Sequence, residues 1–233
     1  MIPALIVPVL NRIDLLGTML QSIDWGVDEL VIVDNGGIVP INVGDFLPLV
    51  ERTHVIQPGH NLGVAASWNL GMKVTPKAPW WCIVGSDVVL GAGDLLRLDM
   101  AIDPIPTIYY MIGHSAFALT RQTVDVLGYY DENFHPAYDE DLDYDRRADL
   151  VSVPRVNVGF TGTHVGSATI RSDASLHRQN GPTHSANDAY YARKWGGPKQ
   201  GGETFSTPFN RGGHIGDWRL ESGRLVTQSW KKE

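Results

Sequence analysis

The sequence predicts an α/β protein in which a Rossmann-like, mixed but mostly parallel sheet is flanked by helices. Short apolar runs alternate with segments of helical spacing in the first half of the chain, and polar turns separate them. With 233 residues, of which 43% are hydrophobic, the chain can bury one sizeable core. We therefore predict a single domain over residues 1–196. Residues 197–233 are predicted to be a Gly-rich C-terminal extension or lid packed on that domain.

The order of the elements follows from residue spacing and from turn signals. Strands are predicted at residues 4–9, 29–33, 53–57, 80–84, 107–112 and 116–119, because each is a short run rich in apolar or β-branched residues. Helices are predicted at residues 12–23, 62–72, 121–127, 139–149 and 185–195, with residues 151–160 extended. Polar and glycine residues at positions 34–37 and 85–87 end the second and fourth strands.

Bulk composition argues against several classes of protein. The net charge is −7 and the pI is about 5.6, so nucleic-acid binding is not expected. The one cysteine, Cys82, excludes an internal disulfide and a cysteine-based zinc site. The N-terminus lacks the features of a signal peptide, and no apolar run reaches the roughly 18 residues of a membrane span. We expect a cytoplasmic protein, soluble or peripheral, without a transmembrane segment.

Polar residues follow four predicted strands, at the edge where α/β sheets bind ligands. Ligands gather outside the carboxyl ends of such strands, and these ends carry Asn11, Asp34, Asn61 and Asp87. Asp87 could bind Mg²⁺ or Mn²⁺, which prefer hard oxygen ligands, or it could end a turn or cap a helix. Asp34 could accept hydrogen bonds from a ribose, although the local sequence favours an ordinary Asx turn.

Two further segments contain residue types that suit a ligand site. Gly63 and the small residues after it would let the backbone approach a ligand closely. Asn61, just before it, equally suits a helix N-cap. His164 lies between glycines on a predicted extended segment, where it could bind a metal or be a structural histidine.

Residues 131–149 carry the densest charge in the chain, with eight carboxylates in nineteen positions. Carboxylates are favoured at the start of a helix, so Asp139 is predicted to be a cap and Asp145 part of a solvated face. A solvated helix does not explain the aromatic, proline-containing approach at residues 135–138. The segment is therefore a candidate site for a metal, a base or a bound hydroxyl, as well as a candidate solvated helix.

Taken in order, seven motifs resemble those of the family 2 glycosyltransferases, which have the nucleotide-diphospho-sugar transferase (GT-A) fold. The motifs are PVLNR at 8–12, VDNG at 33–36, NLGVAASWNLGM at 61–72, GSDVVL at 85–90, VLGYYDENFHPAYDEDLDYDRR at 126–147, HVGSAT at 164–169 and YYARKWGG at 190–197. Each motif alone is weak, and their order makes the resemblance specific. It covers about residues 3–196 and departs from the family's pattern at Gly85, which replaces the first Asp of D-x-D.

The resemblance implies a role for each matching residue. Asp141 would be the general base. Glu140 and Asp143 would support it or contact the acceptor, and Arg147 would orient the acidic helix. The residues implied in binding the nucleotide sugar are Pro8, Asn11, Asp34, Asn61, Gly63, Ser86 and Asp87. Asp87 would also bind the Mn²⁺ or Mg²⁺ that bridges the diphosphate, with His164 as a second ligand.

The expected function is an inverting glycosyl transfer of hexosyltransferase type. A nucleoside-diphosphate sugar would be the donor, and a hydroxyl of a glycan, a protein or a lipid-linked molecule would be the acceptor. Two alternatives stay open. A nucleotidyltransferase shares the sheet, but usually has a Gly-rich loop after the first strand, and residues 8–12 lack those glycines. A non-catalytic nucleotide-sugar-binding module stays open because Gly85 is not a carboxylate.

Overall fold

A seven-stranded sheet forms the centre of the computed structural model, which describes residues 1–166 and 173–209 and the backbone of two later strands. The helices are α1 (Ile13–Gln21), α2 (Val64–Val74), α3 (Asp94–Ala101), α4 (Arg121–Leu127), α5 (Glu140–Leu150) and α6 (Ala174–Trp195), with a 3-10 turn at Val43–Phe46. The strands are β1 (Ile2–Val9), β2 (Val27–Asp34), β3 (Val50–Ile56), β4 (Trp80–Val84), β5 (Val88–Val89), β6 (Ile108–Ile112), β7 (Ala116–Thr120), β8 (Arg155–Asn157), β9 (Thr163–His164), β10 (Trp218–Glu221) and β11 (Arg224–Thr227).

The sheet is mixed and mostly parallel, with the strand order β3-β2-β1-β4-β7-β6-β8. Strands β1 to β4 run parallel to one another, whereas β7 pairs antiparallel with both β4 and β6. Strand β8 then pairs parallel with β6 at one edge. The predicted α/β class, with a mixed and mostly parallel sheet, is confirmed.

Both faces of the sheet are covered, which explains why its first strand is apolar throughout. Leu5 and Val7 of β1 pack on one face with Leu16 of α1. The intervening Ile6 packs on the other face with Trp68 of α2. Successive side chains of a strand point to opposite faces, so a strand buried on both sides reads as a continuous hydrophobic run.

The strand order places a crevice at the carboxyl ends of β1 and β4. The connection through α1 leads from β1 to β2 on one side, while β4 pairs on the other side of β1. The chain thus changes direction across the sheet at β1, and α/β sheets bind ligands outside such a switch point. Residues 8–10, at the end of β1, and the loop at residues 85–87 line the crevice at this point.

Several elements differ from the sequence predictions. Helix α3 and the two-stranded ribbon of β5 and β9 were not predicted, and only residues 155–157 of the extended segment 151–160 form a strand. Helix α6 begins at Ala174, not at residue 185, and continues through Gly181 and Pro182. These two residues are typical helix breakers. The side chain of Asp173 caps the helix by accepting hydrogen bonds from the backbone N–H groups of Ser175 and Leu176.

After α6 the chain folds back on the end of that helix. The backbone N–H groups of Thr204 and Phe205 donate to the carbonyl of Trp195 at 3.1 and 2.9 Å. Strands β10 and β11 form an antiparallel hairpin. Residues 210–217, 222–223 and 228–233 of the predicted extension, and residues 167–169 of the HVGSAT motif, lie outside the described residues. In the described part of the chain, no helix is long and apolar enough to cross a membrane.

Candidate active site

A cavity of about 600 Å³ opens at the carboxyl ends of β1 and β4. Its walls come from the strand ends, from the segment that leads into α5, and from one face of α6. The residues predicted from sequence that line it are Pro8, Asn61, Gly63, Ser86, Asp87, Glu140, Asp141 and His164. Four other predicted residues, Asn11, Asp34, Asp143 and Arg147, are not part of the lining. The fold thus brings the main candidates for metal binding and for proton transfer to one cavity.

Asp87 and His164 lie next to each other on the strand-end side. Asp87 follows β4, and His164 belongs to β9, where it pairs with Val88 of β5. The Nε2 atom of His164 lies 3.4 Å from Oδ1 of Asp87, and both side chains are partly exposed. A carboxylate and an imidazole leave further coordination positions for the oxygens of a ligand. This donor set fits a divalent cation that also binds a diphosphate.

Glu140 and Asp141 form the first turn of α5 and line the same cavity. Only 6% of Glu140 is exposed. Its burial, followed by the charges of Asp141 and Asp139, raises the pKa of Glu140 to about 8. The Oε2 atom of Glu140 has no hydrogen-bond partner among the described residues. Asp141 is half-buried and accepts a hydrogen bond from the N–H of Leu142 at 2.8 Å. At neutral pH Glu140 is therefore mostly a protonated donor beside Asp141.

The loop before α2 packs against the segment that leads into α5. A Cβ atom on Gly63 would lie 2.7 Å from the carbonyl oxygen of Pro136, and φ of Gly63 is +79°. The N–H of Val64 donates to that same oxygen at 2.7 Å. The close approach predicted at Gly63 is therefore to the chain itself. Asn61 is not the N-cap of α2, because Gly63 holds that position and the Asn61 side chain accepts from the Gly63 N–H at 2.9 Å.

Asp34 is directed into its own loop. It is 1% exposed and accepts hydrogen bonds from the N–H groups of Gly36 and Val39 and from the Gln57 side chain. Burial alone would raise the pKa of Asp34, but the hydrogen bonds from Val39 and Gln57 lower it on balance. The Asx-turn interpretation is confirmed by the Gly36 bond. Asn35, which has no role in the sequence predictions, lines the cavity instead, and the ribose role of Asp34 stays a prediction.

Asp143 and Arg147 hold α5 in place from behind the cavity. Asp143 is fully buried and lies 2.6 Å from Nζ of Lys194 and 3.1 Å from Nη2 of Arg147. It also accepts a hydrogen bond from the indole of Trp195 at 2.9 Å. Arg147 donates to the carbonyl of Leu127 at 2.6 Å. Both residues therefore suit a supporting role, and Asp143 is not placed to contact an acceptor in the cavity.

Two carboxylates of the acidic segment differ from their predicted roles. Asp139 holds the N-cap position of α5 with φ of +70°, but its side chain makes no capping hydrogen bond. Asp145 was predicted on a solvated face, yet it accepts a hydrogen bond from the hydroxyl of Tyr110 at 2.6 Å. Tertiary partners, which the local sequence does not show, account for both differences.

A second group with metal-ligand chemistry lies on the helix side of the cavity. The ligating atoms of Asp139, His184 and Asp188 lie within 4.8 Å of one another, which makes them a candidate metal-binding group. Nζ of Lys199 lies 2.6 Å from Asp139 and 2.8 Å from Asp188, and 3.4 Å from Nε2 of His184. An ammonium therefore already compensates these carboxylates. The sequence analysis did not identify this group, and the i, i+4 spacing of His184 and Asp188 is the signal that could have shown it.

His114 is a cavity residue that no motif contains. Its ring packs among Trp68, Phe117 and Tyr130, with centroids 6.2, 4.9 and 6.1 Å away. Burial lowers the pKa of His114, so the imidazole is neutral at pH 7. Its Nε2 atom is buried, with no hydrogen-bond partner in the described part of the chain.

The fold and the cavity define an α/β protein with a mixed, mostly parallel sheet and a candidate active site at the strand ends. No protein-family model and no curated protein matches the sequence. Among solved structures, the chain is similar to S. aureus TarS residues 1–349, with a TM-score of 0.47, 16% identity, and coverage of 64% of this chain and 56% of that one. The chain thus spans little more than half of that structure.

Two further solved structures are similar to this chain. The inositol-1-phosphate CTP transferase from T. maritima has a TM-score of 0.46 and 11% identity, and the match covers 78% of this chain and 96% of that one. A chain from Desulfovibrio desulfuricans G20, described as a nucleotide-diphospho-sugar transferase, has a TM-score of 0.41 and 11% identity, with coverage of 80% and 99%. These likenesses are too distant to carry an argument about activity.

Proposed function

We propose that this protein is a nucleotide-sugar-dependent glycosyltransferase that transfers a sugar from a nucleoside-diphosphate donor to an acceptor hydroxyl with inversion. One observation carries the proposal: the pair Asp87 and His164 and the pair Glu140 and Asp141 line the same cavity. The first pair offers ligands for a cation at the strand ends, and the second offers carboxylates for proton transfer.

The charge of the cavity favours a divalent cation in donor binding. Lys199 is the only lysine or arginine among the described residues that line the cavity, and Asp139 and Asp188 already compensate it. A diphosphate would therefore meet little positive charge from these residues. Asp87 would hold Mn²⁺ or Mg²⁺, with His164 as a second ligand. When bound, such a cation would supply Lewis-acid stabilisation of the leaving diphosphate.

The residues of α5 would handle the proton. In the proposed reaction Asp141 accepts the proton of the acceptor hydroxyl, whose oxygen displaces the nucleoside diphosphate directly, so the anomeric configuration inverts. Glu140 is protonated at neutral pH because burial and the charge of Asp141 raise its pKa to about 8, which limits the negative charge in the first turn of the helix. Asp143 and Arg147 keep that turn in position through their buried contacts.

Product analysis separates this function from nucleotidyl transfer and from binding alone. A thermal-shift screen of UDP, GDP, dTDP and CDP, with and without Mn²⁺, identifies the nucleotide that stabilises the fold. The corresponding nucleotide sugars are then incubated with the protein. Release of the nucleoside diphosphate supports glycosyl transfer or hydrolysis. Release of pyrophosphate from the nucleoside triphosphate would show a nucleotidyltransferase, and binding without turnover would show a non-catalytic module.

A further inference from the structure

One face of α6 forms a wall of the cavity that has no role in the proposed transfer. Its residues recur at three- and four-residue intervals, so they share one side of the helix. They are Leu176, Gln179, Asn180, Thr183 and His184. The wall spans the Gly181-Pro182 pair in the first half of α6, and it presents mostly polar, uncharged groups to the cavity.

The wall has the side-chain types that suit a sugar ring. Gln179 and Asn180 carry amides that both donate and accept hydrogen bonds, and Thr183 adds a hydroxyl. Tyr138 also lines the cavity, its hydroxyl donates to the amide oxygen of Asn180, and its ring centroid lies 4.8 Å from that of His184. Aromatic rings bury the apolar faces of a sugar while amides bind its hydroxyls.

The charge around this wall is negative on balance. Lys199 supplies one positive charge, and Arg178, which shares a second pocket with Gln179 and Thr183, supplies another. Asp139 and Asp188 lie 2.6 and 2.8 Å from the Lys199 ammonium. Asp141 adds a further carboxylate to the cavity. Like charges repel most strongly where water is partly excluded. A phosphate-bearing acceptor would therefore be disfavoured here, whereas an uncharged acceptor would not.

We propose that the α6 wall is the acceptor subsite and that it takes an uncharged carbohydrate, not a phosphate-bearing polymer or lipid. This inference rests on the proposed glycosyl transfer and deepens it. The acceptor O–H gives its proton to the Asp141 carboxylate, and its oxygen forms the bond to the anomeric carbon. The bond from that carbon to the diphosphate oxygen breaks, and its electron pair leaves with the nucleoside diphosphate.

Steady-state kinetics with the donor found above test the subsite. The acceptors are the methyl glycosides of glucose, galactose, mannose and N-acetylglucosamine, each compared with its 6-phosphate. We expect at least one neutral glycoside to accelerate release of the nucleoside diphosphate, and its 6-phosphate to be about tenfold poorer or worse. Gln179→Ala and Thr183→Ala should raise the acceptor KM roughly three- to tenfold, with the donor KM unchanged.

Two matched variants make the test specific. Ser185→Ala changes an exposed position of α6 that is not part of the lining, so it should leave both KM values as in the wild type. Gln179→Lys adds a cation to the wall and should improve the use of the 6-phosphate. Equal unfolding temperatures across the variants would show that α6 is intact.

The outcomes separate this inference from the function on which it rests. Preference for the 6-phosphates, use of no acceptor while the donor is hydrolysed, or an unchanged acceptor KM in Gln179→Ala and Thr183→Ala would each overturn the acceptor subsite alone. Failure to release a nucleoside diphosphate from any donor would overturn both proposals.

Discussion

The strand-end side and the helix side of the cavity hold their carboxylates in different ways. On the strand-end side, Asp34 accepts hydrogen bonds from its own loop and from Gln57 after β3, and Asp87 remains for a ligand. On the helix side, Asp143 is enclosed by cations behind α5, while Glu140 and Asp141 face the cavity. Each side therefore has a structural carboxylate held by protein partners close to those available for chemistry. The role of a carboxylate therefore depends on the partners of its oxygens, and not on its distance from the site alone.

The largest expected effect comes from Asp141→Asn on the helix side. Loss of the proposed base should lower the rate of transfer by ~10²–10⁴-fold, while the affinity for the donor stays unchanged because the strand ends are untouched. Single-turnover kinetics and calorimetric titration of the donor measure the two quantities. Wild-type turnover in this variant would remove Asp141 from the role of base.

Asp143→Ala should instead affect stability. Removing this fully buried carboxylate leaves Arg147 without its ion-pair partner, whereas Lys194 keeps Asp131 at 2.6 Å. Breaking a buried pair costs ~3–5 kcal/mol. Urea unfolding measures the loss, with Asp87→Ala as the control that should unfold close to the wild type. If both variants had the same stability, the division into structural and available carboxylates would be wrong.

Glu140→Gln tests the protonated carboxyl on the helix side. The pKa of Glu140 is raised from 4.5 to about 8, so between these pH values the folded protein binds a proton that the unfolded chain has released. Stability should therefore fall as pH rises through this window, by ~1.4 kcal/mol per pH unit relative to Glu140→Gln. Unfolding at pH 5, 6, 7 and 8 tests it, and parallel pH profiles of the two proteins would argue against a raised pKa.

Asp87→Ala probes the strand-end side with a smaller effect. Loss of one cation ligand should weaken binding of the nucleoside diphosphate about tenfold when Mn²⁺ is present. Without Mn²⁺ the variant and the wild type should bind alike, since Asp87 then has no cation to hold. Calorimetry under both conditions measures the difference, and equal affinity in Mn²⁺ would exclude Asp87 as a metal ligand.

Much of the strand-end side was predictable because its signals are local. The apolar run of β1 and the turn after β4 can be read within a few residues, and strand ends of a parallel sheet meet at one edge. The placement of Asp87 in the cavity follows from these two facts. That of His164 beside it depended on the resemblance, because the pairing of β5 with β9 joins segments far apart in the chain.

The helix side was less predictable because its partners are distant in sequence. The helix was predicted only from residue 185, so the half of α6 that lines the cavity was missed. Gly181 and Pro182, just before that residue, are typical of a break and not of a helix interior. The contact of Lys199 with Asp139 links a loop after α6 to the turn before α5. Such contacts depend on how the helices pack on the sheet, so they cannot be predicted from the residue spacing within one segment.

The sequence by itself determined the α/β class, the order of the main strands along the chain and the identity of the candidate residues at the strand ends. These features depend on the spacing of apolar and turn residues, which is a local signal within each segment of the chain. Only the tertiary structure decided which carboxylates remain available. Burial and hydrogen-bond partners set the charge and the accessibility of each one, and for Asp34, Glu140 and Asp143 those partners or neighbours come from packing.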